Sequence, residues 1–156
     1  MFGCGVAYRM PTEGMKPTIT PDDMCVANPF AYSSAAIQRF DLVVFRPNEE
    51  QRRRFKDDKL RYLFRIIGLP NEKVEIRDSK VYINDQLLVQ PFDRIMDEAD
   101  RRKNFGPIVI PNDEYFLLGD NRPNSEDSRY WAKPTIHKSN IYSKIVDIKK
   151  DFYKTD

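Results

Sequence analysis

The sequence is short of the residues that staple or metallate small domains. It has two cysteines, Cys4 and Cys25, and one histidine, His137. A disulfide framework in so small a secreted chain needs more cysteines, so two unpaired thiols or one incidental bridge are expected. No C-x-x-C occurs and the histidine is single, which excludes a His/Cys metal site; no metal and no cofactor is expected. No apolar run approaches the roughly 18 residues of a membrane span, and Met1–Val6 does not lead into the apolar core of a signal peptide. Neither sign of charge dominates, with 26 basic and 24 acidic residues and a net charge of +2. No basic strip interleaved with stacking aromatics is present, so a nucleic-acid partner is not expected. Long stretches of clean helical periodicity are missing too.

What is present is a folded composition, 40% hydrophobic and 32% charged over 156 residues, enough for one domain with a real core. Short apolar runs recur along it. Cys25–Asn28, Asp41–Phe45 and Leu60–Ile67 are rich in branched or aromatic residues. Val74–Arg77 and Lys80–Ile83 alternate with period two around the turn-prone Asp78-Ser79, predicting a hairpin. Asn84-Asp85 is a second turn signal. Ile108–Ile110 and Tyr115–Leu118 flank Pro111-Asn112-Asp113, and Ile141–Ile148 closes the series. Closely spaced short strands predict a mainly all-β fold, with a core from residues 6–77 and 108–150 and a small lobe, 78–107, inserted between them. Two charged stretches interrupt the pattern. Glu49–Lys59 reads as a solvated hairpin loop, and Asp93–Lys103 belongs to the lobe, where Met96–Lys103 has room for a helical turn or two.

Three segments carry chemistry: Pro11–Ile19 (PTEGMKPTI), Tyr62–Val74 (YLFRIIGLPNEKV) and Leu118–Trp131 (LGDNRPNSEDSRYW). The last is long and chemically unusual. In this order they resemble the boxes of type I signal peptidases, and Arg39–Phe45 resembles a fourth, with Phe40 where a glycine is usual. The resemblance spans residues 11–131. It implies a β-rich signal-peptidase-type fold that acts on the outer side of the cytoplasmic membrane, held there by a transmembrane helix just ahead of the first box. Such an anchor is therefore expected upstream of Met1-Phe2.

The resemblance also implies a serine–lysine dyad, in which a hydroxyl attacks the peptide carbonyl and a desolvated lysine takes its proton. The serine belongs directly before Met15 and the lysine directly before Arg65; these positions hold Gly14 and Phe64. The two groups of a dyad act as a unit, so the sequence leads us to expect a pseudoenzyme with no catalytic residues. Its expected role is that of a membrane-anchored assembly factor or chaperone at a Gram-positive cell surface, similar to signal-peptidase-like proteins of pilus assembly, with pilins or sortase as partners. Two alternatives stand beside it. One is a module that binds signal peptides or exported segments. The other is a protease whose site is relocated, onto Thr12, Lys16 or Glu13 with Asp120 or Asp127, or engineered away.

The site residues expected from the resemblance follow. Thr12 is placed as an oxyanion-hole-like donor. Tyr8, Arg9, Met10 and Pro11 form one wall of a peptide groove, and Tyr62, Leu63 and Phe64 the other, with the peptide added as a strand. Arg65, Asp120, Asn121, Arg122, Ser125, Asp127 and Arg129 are a scaffold around it. Within that scaffold an Asp127–Arg129 pair with Arg65 as second basic partner is expected, Ser125 is expected to hydrogen-bond position 64, and Tyr130 and Trp131 are core aromatics.

Overall fold

The computed structural model describes residues 5–90 and 101–154. Among these residues eleven strands form two antiparallel sheets. The larger takes β1 (Val6–Arg9), β2 (Met24–Asn28), β3 (Leu42–Phe45), β4 (Tyr62–Gly68), β9 (Glu114–Leu118), β10 (Ile136–His137) and β11 (Ile141–Lys149). Their spatial order is β1-β2-β11-β3-β4-β9-β10. The smaller sheet is β7-β6-β5-β8, built from β5 (Lys73–Arg77), β6 (Lys80–Ile83), β7 (Gln86–Leu87) and β8 (Phe105–Val109). The expected division at 77/78 falls inside its β5–β6 hairpin.

That hairpin pairs in the register the alternation requires, with Val74 opposite Ile83 and Ile76 opposite Val81. Asp78 and Ser79 both take positive φ, 46° and 67°, as a two-residue turn matched to strand twist demands. Asn84 and Asp85 repeat this at 49° and 67° between β6 and β7.

Two apolar clusters fill the molecule, and β4 and β9 belong to both. Ile66 and Leu117 face the first, among Val43, Phe45, Leu63 and Trp131. Ile67, Phe116 and Leu118 face the second, among Val74, Ile76, Val81 and Ile110. Successive side chains point to opposite faces of a strand. Both faces of β4 and β9 are covered, so apart from Arg65 in β4 and Glu114 at the start of β9 their sequences are apolar on both faces rather than alternating.

The charged stretch after β3 is a helix, α1 (Glu49–Phe55), where a solvated hairpin loop was expected. Glu49 and Glu50 lie in its first turn and Arg52, Arg53 and Arg54 in its last, the arrangement its dipole favours. Lys56 ends it in the left-handed region, and its N–H bonds the Arg53 carbonyl. Gln51 is buried beneath it, and Asn48 Nδ2 donates to the Lys133 carbonyl at 2.8 Å, tying the helix to the chain after Trp131.

Cys25 is a buried free thiol. Burial, with the Asp23 charge nearby, pushes it up to about 11, so it stays protonated. Cys4, and most of the helical turn expected at 96–103, lie outside the described residues. No helix among the described residues is long and apolar enough to cross a membrane.

Candidate peptide-binding and active site

Backbone pairing creates the site. β4 pairs with β3 along Tyr62–Arg65, but β9 reaches it only from Arg65 onward. Among the described residues, Tyr62, Leu63 and Phe64 therefore have one edge without a strand partner. Among the described residues β1 pairs with β2 alone, which leaves its other edge open there as well. Between the two open edges lies a cavity of about 420 Å³. Tyr8, Arg9, Met10, Pro11 and Thr12 line one side and Tyr62, Leu63 and Phe64 the other, so the structure brings together every groove residue expected from the sequence. It adds Val44, Phe55, Leu60 and Arg61, and Asn124 and Glu126 at the rim. Phe55 is the lone apolar residue of a charged helix, and a phenylalanine isolated in a charged stretch is the sequence signal for it; in the structure it is exposed.

Gly14 and Phe64 meet at the centre. A Cβ built on Gly14 would lie 3.6 Å from Phe64 Cε1, 3.5 Å from Ser125 Cβ and 3.6 Å from Met10 Cε, all ordinary contacts. The Phe64 ring is buried against Phe45, Tyr62 and Trp131, with centroids 5.9–6.3 Å away. Such offset and edge-on aromatic contacts make a firm floor. Burial, then the nearby Glu126 charge, raises the Tyr62 phenol, so it remains a neutral hydroxyl.

The loop carrying Gly14 is anchored to the third box. The Gly14 carbonyl accepts from the Asn121 N–H at 3.0 Å, and the Glu13 carbonyl from Asn121 Nδ2 at 3.0 Å. Met15 and Ile19 plug into the core. Gly119 has to be glycine, because a Cβ there would sit 2.6 Å from the Gly14 oxygen.

The third box satisfies its own charges. Arg65 grips Asp120 with both arms, Nε to Oδ1 at 2.8 Å and Nη2 to Oδ2 at 2.6 Å, and the Thr18 hydroxyl donates to the same carboxylate. Arg129 grips Asp127 in the same way, at 2.8 and 2.9 Å, with both side chains fully buried. Arg65 is therefore the partner of Asp120, not a second partner of Asp127 as the sequence suggested. Arg122 donates to the Gly119 carbonyl and to Gln90, and Arg129 to the Arg122 carbonyl. Ser125 Oγ lies 2.9 Å from Asp127 Oδ2 and 3.0 Å from the Asn121 oxygen. Its proton is committed there, and not to position 64, where a phenyl ring offers no acceptor. Trp131 is a core aromatic, whereas Tyr130 is only half-buried.

The relocated chemistry is not assembled. Lys16 is bonded at 2.5 Å to Glu13 and its side chain is 36% exposed, so it is not a desolvated amine. Glu13 is held by Lys16, Asp120 by Arg65 and Asp127 by Arg129, so no carboxylate pair forms. Thr12 stands exposed in the cavity wall. Among the described residues no three His, Cys, Asp or Glu side chains are grouped to hold a metal ion.

A profile described as signal peptidase, peptidase S26, matches residues 3–148. The chain belongs to the signal peptidase S26 family. It is 34% identical over 126 residues to a probable signal peptidase I-2 of Synechocystis sp., covering 81% of this chain and 55% of that one. It is 32% identical over 140 residues to signal peptidase I of Leptolyngbya laminosa, covering 90% and 66%. The crystal structure of a signal peptidase I from Enterococcus faecalis superposes with a TM-score of 0.55 at 28% identity, covering 72% of this chain and 98% of that one. This supports the expected all-β, signal-peptidase-type fold. The chain spans 55% and 66% of the length of these two curated relatives.

These comparisons overturn the expected function. The relatives bear the name of an enzyme, signal peptidase I, and none of those above is named as an assembly factor. The expectation of a non-catalytic pilus-assembly chaperone, inferred from two positions, is corrected by similarity that extends over most of the chain. The residues at those positions remain a fact of this sequence: Gly14 and Phe64.

Proposed function

We propose that this domain acts on the signal-peptide junction of exported precursors, the substrate class that the names of its relatives indicate. The junction is taken up as an extended strand between β1 and Tyr62–Phe64. The observation that carries this is the pair of open strand edges flanking one cavity, since an extended peptide completes both with main-chain hydrogen bonds. Such binding belongs at the outer face of the membrane, where exported chains emerge.

Hydrolysis of the kind implied by the family needs a hydroxyl and an amine facing each other over the bound carbonyl. Positions 14 and 64 have that relation, with a built Cβ at one lying 3.6 Å from the ring of the other. No positive φ bars a side chain at Gly14. The test is to compare the chain as it stands with Gly14→Ser/Phe64→Lys on one signal-peptide substrate. Both forms are expected to bind it, and the double variant to cleave it at least about 1,000-fold faster, a gain of the size a nucleophile–base pair supplies. Failure of both forms to bind the substrate would sink the proposal.

A further inference from the structure

The strand pairing gives the cavity a polarity. From β1 through β2, β11 and β3 to β4 every step is antiparallel, and an even number of reversals leaves β1 and β4 parallel. Along the first wall Arg9 precedes Met10 and Gly14; along the second Arg61 precedes Tyr62 and Phe64. Both arginines line the cavity. They therefore stand at the same end of it, one on each wall, ahead of the Gly14 and Phe64 positions.

Both side chains are held in place, and neither is neutralised. Arg9 Nε donates to the Pro21 carbonyl at 2.9 Å, and its guanidinium lies 4.8 Å over the Tyr153 ring. Arg61 Nη1 donates to the Leu60 carbonyl at 2.8 Å, and its guanidinium lies 4.7 Å over the Tyr142 ring. Stacking covers a face of the planar group and leaves the remaining in-plane N–H donors free for a carboxylate. Neither arginine has a carboxylate partner among the described residues, whereas each arginine of α1 has one: Arg52 with Asp58, Arg53 with Glu49 and Arg54 with Glu126. The last of these pairs also offsets the charge of Glu126 at the cavity rim. What is left along the cavity is positive charge at one end, which attracts the opposite sign in whatever lies there.

Resting on the groove reading above, we infer that Arg9 and Arg61 are specificity-determining residues, favouring extended segments with an aspartate or glutamate at the end of the groove where they stand. Arg61 is three residues ahead of Phe64, and three residues of extended chain span roughly 10 Å. The acidic residue therefore belongs about three positions from the peptide residue that lies over Gly14 and Phe64. A strand between two parallel edges runs with both or against both, so the acid is favoured on one flank of the peptide and not on the other.

The experiment titrates the protein as it stands with one signal-peptide junction peptide in three forms: an aspartate three positions before the junction, an aspartate three positions after it, and asparagine at both places. At low salt one aspartate form is expected to bind about 3- to 20-fold more tightly than the asparagine form, and the other to gain less than about twofold. The gain is expected to shrink as salt is raised, as exposed charges require, and to fall below about twofold in Arg9→Gln/Arg61→Gln. Both side chains are exposed, so this variant keeps the core intact. No gain at either flank, an equal gain at both, or a gain that survives in the double variant would overturn the inference and leave the groove standing. Absence of binding by all three peptides would overturn the groove itself.

Discussion

At the scale of single residues, the third box is a device for burying charge without leaving any of it unpaired. Asp127 accepts from both arms of Arg129, from the Arg129 and Gly119 N–H groups, and lies beside the Ser125 hydroxyl. Breaking one member of such a pair leaves the other charge stranded away from water. Asp127→Asn is therefore expected to lose about 3–5 kcal/mol of unfolding free energy, read from denaturant melts. A loss below about 1 kcal/mol would show that Arg129 finds another partner. The motif was legible letter by letter, but the pairing within it was not. Asp120 and Asp127 are equivalent as letters, and only the fold brings Arg65, 55 residues away along the chain, to Asp120. Positions 14 and 64 are open to misreading for a related reason: two letters set an expectation about function that the rest of the chain's similarity does not share.

At the scale of elements, strand runs were easy to read and their partners were not. The hairpin Val74–Ile83 declares itself through alternation and turn residues. β1 has no such pattern, being exposed at most positions, and only its place beside the first box marks it as a wall. α1 was missed because its single apolar residue gives no periodic face, while the order of its charges, acidic then basic, was the available signal. The open edges of β1 and Tyr62–Phe64 are likewise a property of pairing, since nothing in YLF says that β9 stops at Arg65. If those edges bind peptide, main-chain N–H groups of the ligand must donate to them. Methylating one such nitrogen of a bound peptide removes a hydrogen bond worth roughly 0.5–1.5 kcal/mol. Affinity should then fall about two- to tenfold at alternate positions and little at those between, measured by calorimetry. A uniform effect along the peptide would contradict strand addition.

At the scale of the whole molecule, β4 and β9 unite two apolar clusters, and the segment after β11 is tied back beneath the first box. Asp23 makes that tie. It accepts from Lys150 at 2.8 Å and from the N–H groups of Thr20 and Asp151 at 2.8 and 3.0 Å. Burial alone would raise its carboxyl, but these bonds outweigh it and bring the group down to about 2. The folded value is depressed, so this stability is complete above the ordinary aspartate range near 4. It is lost as pH falls toward 2. Thermal melts of Asp23→Asn should show a shallower loss of stability between pH 4 and 2 than the unaltered chain, and identical slopes would count against the tie.

The central claim is that an extended peptide lies between β1 and Tyr62–Phe64, and backbone amide NMR during titration with a signal-peptide junction peptide tests it most directly. The account predicts saturable shifts at Tyr8, Arg9, Met10 and Thr12 and at Tyr62, Leu63 and Phe64, with slowed hydrogen exchange along both edges. Saturable binding that leaves both edges unshifted, or no binding at all, would contradict it.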